Sequence, residues 1–310
     1  MTDIDQVLLN FNPATLMILN IFIGFIMFGV ALDLRIQDFK NALSSPKPMF
    51  IGFFAQFILL PAFTFLLVLA INPRPSIALG LLLIAACPGG NLSNFITHLA
   101  KGNTALSINM SAVATVAAIV MTPLNVMFWG SLLPGTSEIL TSFTINPLDM
   151  LFLIFLMLGL PLTAGMYVRK VFPVWAVKAS TPMRYFSITV FILFVIAALV
   201  GNWIYFVEFV GMVIVAVFLH NLLALLGGYF SAKLFKLNEA SRRAIAIEVG
   251  IQNSALGLVL IFNFFDGLGG MAVVAAWWGV WHIVSGLSLA FFWSRRAPDN
   301  YVFLRKEIKA

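Results

Sequence analysis

"IEVGIQNSALG", residues 247–257, places a glutamate, a glutamine and an asparagine inside one of the most apolar stretches of the chain. A charged side chain at mid-membrane costs at least about 2.5 to 3.5 kcal/mol, so an acidic residue there indicates a function. The alternative is that Glu248 lies near the membrane interface, close in sequence to Arg243, and reaches out to water. That alternative does not explain Gly250 and the amides after it, which favour a helix broken beside the acid.

The composition is that of a membrane protein, because 61% of the 310 residues are hydrophobic and only 10% are charged. A spanning helix needs about 20 mostly apolar residues. The segments that satisfy this requirement are 14–32, 48–72, 76–100, 104–133, 147–168, 184–206, 209–232, 240–265 and 268–293. We therefore predict an all-α polytopic membrane protein with about nine transmembrane helices.

The basic residues test this count, because cytoplasmic loops are rich in Lys and Arg. Of the 18 Lys and Arg residues, all but Arg74 fall in the loops after spans one, three, five, seven and nine or in the C-terminal tail. We expect an external N-terminus, a cytoplasmic C-terminus and a multi-pass location in the inner (plasma) membrane. This topology explains the net charge of +6 without a nucleic-acid partner.

The remaining global features are simple. The N-terminus carries acidic residues and no basic n-region, which argues against a cleavable signal peptide. The single cysteine, Cys87, excludes an intrachain disulfide and a cysteine metal cluster. We expect one integral membrane domain over residues 1–310, in contact with the lipid bilayer and with no obligate protein partner.

Span three is interrupted in the same way as span eight. In "ACPGGNLSNFITHLAKGN", residues 86–103, Pro88 lacks an amide hydrogen, so the helix should stop there and a second half-helix should begin near Asn91. Spans three and eight run in opposite directions, which predicts an inverted repeat. Lipid cannot satisfy unwound backbone, so the breaks are candidate sites. The half-helix N-termini near Asn91 and Asn253 suit an anion, and the carbonyls before them suit a hard cation.

Several other spans carry polar residues. Ser107, Ser111 and Thr115 form a row of hydroxyls at intervals of four residues on one face of span four. One such hydroxyl would more often bond its own helix, but a row beside a broken helix favours a binding role. Gln56 stands alone among apolar residues and is either a contact between helices or an ion ligand. His220 and His282, taken alone, are more typical of satisfied structural histidines.

Together these motifs resemble the bile acid:sodium symporter family. The resemblance lies in "ACPGGNLSNFITHLAKGN", "IEVGIQNSALG", "IGFFAQFILLP" around Gln56, "LHN" at 219–221 and "VWHIVSG" at 280–286. It extends from about residue 23 to residue 292. It implies a core domain with two broken crossing helices, formed in part by about 48–133 and 209–293, and a panel domain formed in part by about 14–46 and 147–206. Bacterial members often have ten helices, so nine would mean that this chain lacks the first.

The resemblance also implies the ligands. One sodium site would be formed by Ser93, Asn94, Ser107, Ser111 and Glu248. The second would use Gln56, Gln252, Glu248 and the backbone carbonyls of Val249 and Ile251. The substrate would lie near Asn91, Leu92, Asn253, Ser254 and His282. Oxygen ligands of this kind suit a hard monovalent ion, so no transition metal is expected.

The implied function is a sodium-coupled symporter, not an enzyme, that imports an organic anion by alternating access. The anion would be bile acid-like, pantoate-like or another carboxylate or sulfate. Two Na⁺ ions beside one glutamate leave one positive charge, which such an anion neutralises. The alternative is a proton-coupled anion transporter with Glu248 as proton carrier. Cys87 also permits comparison with arsenite carriers, and a receptor on a transporter fold stays open, whereas an intramembrane hydrolase lacks a recognisable motif.

Overall fold

The computed structural model describes residues 4–8, 13–90, 92–201 and 203–298, which form helices and no β-strand in those ranges. The α-helices are α1 (Pro13–Ala31), α2 (Ile36–Ser44), α3 (Pro46–Phe54), α4 (Leu60–Ile71), α5 (Pro75–Ala86), α6 (Leu92–Leu99), α7 (Thr104–Ser131), α8 (Pro134–Ser142), α9 (Pro147–Ile154), α10 (Leu160–Val171), α11 (Pro173–Gly201), α12 (Trp203–Leu234), α13 (Glu239–Gly250), α14 (Ser254–Phe264) and α15 (Gly269–Ser294). Two π-helical stretches, Ala55–Leu59 and Phe155–Gly159, join α3 to α4 and α9 to α10.

Five helical units in the described ranges are long and apolar enough to cross a membrane. They are Pro46–Ile71, Thr104–Ser131, Pro147–Val171, Val207–Leu234 and Gly269–Ser294. The bent pair Asn20–Ala31 and Ile36–Ser44, whose parts meet at 64°, makes a sixth if it counts as one span. The prediction of an all-α polytopic membrane protein is confirmed. The count of nine spans and the inverted repeat stay predictions, because predicted spans three and eight consist of shorter helices.

The connections are more helical than the hydropathy pattern indicates. The helices α2 and α8 lie in segments that the hydropathy pattern predicts to be loops. Helix α11 begins at Pro173, before the predicted start of span six at residue 184. Both α8 and α11 begin with a proline, whose fixed φ suits the first helical position and whose missing amide hydrogen is not needed there. Hydropathy alone cannot detect such starts.

Each π-helical stretch lies just before a proline. Pro61 and Pro161 are the second residues of α4 and α10, and each would clash with the carbonyl four residues earlier in a regular helix. The wider π turn relieves that clash, and such turns often occur at functional positions. The first of these turns contains Gln56, whose side chain is buried. The proline thus determines how this amide projects from the helix.

The two predicted breaks are present. Helix α5 ends at Ala86, one residue before the extended Cys87, and α6 begins at Leu92. Helix α13 ends at Gly250, followed by the extended Ile251, and α14 begins at Ser254. Pro88 explains the first break, as predicted.

The two breaks are paired with each other. Gly89 and Gln252 form an isolated antiparallel bridge. The Gly90 amide donates to the Ile251 carbonyl at 2.6 Å, and the Asn253 amide donates to the Pro88 carbonyl at 2.9 Å. Each unwound segment therefore satisfies backbone groups of the other, which lipid could not do.

Both glycines of the first break are needed at this crossing. A Cβ on Gly90 would lie 2.9 Å from the Gln252 carbonyl oxygen, and a Cβ on Gly89 would overlap the Glu248 carboxylate. Glycine is the residue that permits such a close approach of backbone to a neighbouring group. The same crossing therefore brings Glu248 against the first break.

The chain is also tied together at the end where α5 and α15 begin. The Gly269 amide donates to the Val7 carbonyl at 2.7 Å, and the Ser76 amide donates to Asp5 Oδ1 at 2.8 Å. Near the end of α14, Asn263 exchanges two hydrogen bonds with Asn20 of α1, at 3.0 and 3.1 Å. The N-terminal segment thus packs over the starts of two helices.

Candidate ion and substrate site

Glu248 is completely buried and its carboxylate is surrounded by hydroxyls. Oε2 accepts hydrogen bonds from Ser93 at 2.6 Å and from Ser107 at 3.0 Å, and Oε1 accepts one from Ser111 at 2.6 Å. Ser111 also lies 3.3 Å from Asn94 Oδ1. The structure therefore brings together all five residues predicted for the first cation site.

Three elements supply this cluster. Ser93 and Asn94 are in the first turn of the half-helix α6, Ser107 and Ser111 are one turn apart on α7, and Glu248 is in the last turn of α13. The break after Ala86 is what turns α6 so that its first residues meet the acid. The spacing of four residues in α7 places both of its hydroxyls on the same side of the helix.

Glu248 does not reach solvent, because its side chain is completely buried in the protein. None of the ion pairs among the described residues includes it, and Arg243 instead binds Glu239, with Nε to Oε1 at 3.0 Å. Nη1 of Arg243 donates to the carbonyls of Ala100 at 2.9 Å and Trp293 at 3.1 Å. These carbonyls lie at the C-terminal ends of α6 and α15, where a cation is favoured by the helix dipole. The interpretation that Glu248 snorkels out to water is wrong, because its carboxylate is buried and Arg243 is paired elsewhere.

The residues predicted for the second cation site form an adjoining group. Gln56 and Gln252 exchange hydrogen bonds at 2.9 and 3.2 Å. Gln56 Nε2 also donates to the Cys87 carbonyl at 2.8 Å, and Gln252 Nε2 donates to the Val249 carbonyl at 2.6 Å. The Ile251 carbonyl accepts the Gly90 amide. These groups are mutually satisfied in the structure, and Glu248 makes no hydrogen bond with them.

A cavity is lined by one side chain of each group. Its walls are formed by Met49, Gly52, Phe53, Gln56, Met110, Val113, Ala114 and Glu248. These residues come from α3 and the π turn after it, the first half of α7, and α13. The cavity is mainly apolar, and its two polar side chains are the amide of one cation group and the carboxylate of the other.

The residues predicted for the substrate are less closely gathered. Asn91 lies outside the described residues. Leu92 and Ser254 begin the two half-helices, and Asn253 caps α14, with Oδ1 accepting the Leu256 amide at 3.1 Å. His282 is buried, and its Nδ1 has no partner among the described residues. No hydrogen bond in the described part of the chain joins His282 to Asn253 or Ser254.

His220 belongs to a hydrogen-bonded row that the sequence did not reveal. Trp278 donates its indole N–H to His220 Nδ1 at 2.8 Å, so the ring proton is on Nε2. Nε2 then donates to Thr64 Oγ1 at 2.8 Å, and Thr64 donates to the Leu60 carbonyl at 2.7 Å. Every polar atom of the ring is satisfied, which confirms the structural interpretation of this histidine.

Asn221 is the functional candidate that sequence reasoning missed. Its side chain is completely buried, and Nδ2 donates to the Gly250 carbonyl at 2.8 Å. Two neighbouring polar residues inside an apolar span were the available signal, since buried amides in lipid need partners. What the sequence could not show is that this partner lies in the second break.

Comparison with known proteins extends this picture. The sequence matches the family described as "Sodium Bile acid symporter family" over residues 20–209. It is 36% identical over 287 residues to "Uncharacterized sodium-dependent transporter YocS" of Bacillus subtilis (strain 168), which covers 91% of this chain and 84% of that protein. It is 33% identical over 275 residues to "Probable sodium/metabolite cotransporter BASS1, chloroplastic" of Arabidopsis thaliana, covering 88% and 66%. With "Ileal sodium/bile acid cotransporter" of Mus musculus it shares 29% over 249 residues, covering 79% and 69%.

These three relatives are all named as transporters, so the expectation of a transporter and not an enzyme is confirmed. The family match covers more than half of the chain, and it includes both Ser93 and Ser111. The region that carries Glu248 is covered by the longer alignments. The chain belongs to the Sodium Bile acid symporter family.

Proposed function

We propose that the protein is a sodium-coupled symporter that imports an organic anion by alternating access. The observation that carries this proposal is the fully buried Glu248, held by three hydroxyls beside two helix breaks that pair with each other. A buried acid without a cationic side chain as partner is costly to maintain. A cation that binds during the transport cycle supplies the missing charge.

The first Na⁺ ion is bound by the hydroxyl oxygens of Ser93, Ser107 and Ser111, by Asn94 Oδ1 and by the Glu248 carboxylate. Each serine donates its hydrogen to the carboxylate and keeps lone pairs that can accept a cation. A set made only of oxygens, most of them neutral, suits a hard monovalent ion. The arrangement therefore needs little change to accept sodium.

The second Na⁺ ion is bound by Gln56, Gln252, Glu248 and the carbonyls of Val249 and Ile251. Support comes from the position of the two amides, which meet at the break, and from Gln56, which lines a cavity together with Glu248. Binding replaces the present amide-to-amide contacts with contacts to the ion. This group is therefore the one that must rearrange more.

Charge provides the coupling. Two Na⁺ ions and one glutamate leave a net charge of plus one in a site of low dielectric constant, where an uncompensated charge is unfavourable. An organic anion at the half-helix N-termini near Asn91, Leu92, Asn253, Ser254 and His282 neutralises it. Neither the ions nor the anion then bind well alone, which favours joint transport.

Alternating access requires two bodies that move relative to each other. We propose that parts of 48–133 and 209–293 form a core domain and parts of 14–46 and 147–206 form a panel domain. The residues of α3, the π turn and α7 that line the cavity beside Glu248 lie in the first halves of Pro46–Ile71 and Thr104–Ser131, toward the ends near Lys47 and Lys101 in the sequence. By the distribution of basic residues this side is cytoplasmic, with the N-terminus outside and the protein in the plasma membrane.

The test is uptake by proteoliposomes that contain the purified protein. Taurocholate, pantoate and pyruvate represent three sizes of organic anion. We expect uptake of at least one of them with an inward sodium gradient and none when potassium replaces sodium. Two Na⁺ ions with one monovalent anion move one charge, worth about 2.3 kcal/mol per 100 mV, so an inside-negative potential should stimulate uptake. Uptake that persists without sodium and follows a pH gradient would instead support proton coupling through Glu248.

A further inference from the structure

The amide of Asn221 is only half satisfied. Its nitrogen donates to the Gly250 carbonyl at 2.8 Å, but its oxygen, Oδ1, is buried and has no hydrogen-bond partner among the described residues. The orientation of the amide is determined by chemistry, because a carbonyl oxygen can only accept, so the nitrogen must face Gly250. A buried acceptor without a partner costs about 1 to 3 kcal/mol and is rare in native proteins.

The position of α12 explains where this oxygen lies. Next to Asn221, His220 bonds Thr64 of α4, the helix that follows the π turn with Gln56. One turn later, Leu225 packs against Gly250 of α13, and a Cβ there would overlap it. Helix α12 thus contacts both α4, which follows the π turn with Gln56, and α13, which leads into the second break. Asn221 is on the side of α12 that meets the break.

The group that Asn221 contacts is itself part of the proposed second ion site. Gly250 lies between Val249 and Ile251, whose carbonyls are proposed ligands, and its own carbonyl is held by Asn221. An amide oxygen is the same type of ligand as those carbonyls and as the Gln56 side chain. A hard cation satisfies such an oxygen better than any apolar neighbour can.

We propose that Asn221 Oδ1 is a further ligand of the second Na⁺ ion. The inference rests on the proposed function and adds α12 to the elements that bind the ion. Through its nitrogen, the same side chain holds the Gly250 carbonyl in place. Binding of the ion is thereby connected directly to the position of α12 against α13.

The test uses purified full-length protein and sodium alone. Thermal stability is measured while NaCl replaces KCl at constant ionic strength, which gives a half-maximal sodium concentration without a substrate. In Asn221→Leu, we expect this concentration to rise about tenfold or more, equivalent to about 1.4 kcal/mol. In the matched control Asn125→Leu, it should not change, because Asn125 is a buried amide on α7 bonded to Met121 and Trp129.

Asn221→Asp distinguishes a ligand from a structural residue. The aspartate keeps Oδ1 but places a second oxygen against the Gly250 carbonyl. We expect lower stability without sodium, together with sodium affinity equal to or above that of the wild type. If both Asn221 variants lose stability with an unchanged sodium midpoint, a water or a purely structural role accounts for Oδ1 and the inference is wrong. If the wild type itself shows no sodium-specific stabilisation, the proposed function fails as well.

Discussion

Replacing Glu248 with glutamine separates the charge of the site from its shape. Oε1 accepts one hydrogen bond, from Ser111, whereas Oε2 accepts two, from Ser93 and Ser107. A glutamine therefore fits best with its oxygen toward the latter two serines and its nitrogen toward Ser111. The Ser111 hydroxyl can then accept that nitrogen and donate to Asn94 Oδ1, which already lies 3.3 Å away.

The number of hydrogen bonds is thus preserved, and the change in energy comes from the charge. Neutral hydrogen bonds are roughly half as strong as charge-assisted ones, but removal of a buried carboxylate recovers a desolvation cost of several kcal/mol. Without sodium, we expect Glu248→Gln to be at least as stable as the wild type. With sodium, the variant loses an attraction of about 4 kcal/mol, for charges about 4 Å apart at an effective dielectric constant of about 20. Sodium affinity should fall by about a thousandfold.

The assay is thermal unfolding in NaCl and in KCl at equal ionic strength. The wild type should be stabilised by NaCl, by about 2.7 kcal/mol when sodium is at a hundred times its dissociation constant, and the variant should show no difference between the salts. Glu138→Gln, at an exposed position of α8, is the control and should behave as the wild type. A Glu248→Gln protein that keeps its sodium midpoint within tenfold of the wild type would refute the assignment of this carboxylate to an ion.

Three further predictions test the scaffold. Gly89→Ala should abolish stabilisation by sodium, because its Cβ overlaps the buried Glu248 carboxylate. The control Gly211→Ala, with no atom within 4 Å of the added Cβ, should leave that stabilisation unchanged. Equal sodium responses of the two variants would contradict this prediction. Arg243→Lys should lower the free energy of unfolding by about 1.5 to 3 kcal/mol. An ammonium cannot reproduce the planar set of donors that binds two carbonyls and one carboxylate. An unchanged midpoint of denaturant unfolding would count against this prediction. Asn20→Leu or Asn263→Leu alone should lower the free energy of unfolding by about 1 to 3 kcal/mol, because each leaves the other amide unsatisfied. The double variant should lose less than the sum of the two single losses. Additive losses in a double-mutant cycle would contradict the pairing.

The sequence predicted those features that arise from local backbone chemistry. Pro88 removes a donor and ends α5, so the first break follows from the identity of a single residue. Glu248, an acid among apolar residues, predicted a buried cluster for the same kind of reason. The intervals of four residues in α7 predicted Ser107 and Ser111 beside it, but Thr115, the third hydroxyl of that row, donates instead to the Ser111 carbonyl of its own helix.

Features that depend on contacts between distant segments were not predictable in this way. The pairing of the two breaks joins residues more than 160 positions apart, and no local pattern encodes a hydrogen bond between Gly90 and Ile251. The row of hydrogen bonds through His220 depends on how α4, α12 and α15 approach each other. Asn221 was missed because its partner is a backbone carbonyl, which any residue type can supply.

The substrate group shows the limit most clearly. Asn253 and Ser254 take the positions that a half-helix N-terminus requires, so the sequence predicted their location. His282 lies on α15, and its distance from those two residues depends on the packing of three helices. Its membership of the substrate site therefore stays a prediction that uptake experiments with His282 variants can test.

The hydrogen bonds between the two breaks also limit how this sequence can change during evolution. Residues that line a cavity can be replaced one at a time, and each replacement can be selected separately. A substitution that restored a continuous helix in one broken span would leave a carbonyl and an amide of the other break without partners inside the membrane, either those of Ile251 and Asn253 or those of Pro88 and Gly90. Evolution can therefore change the residues that line the cavity gradually, but the two helix breaks must be kept or lost together.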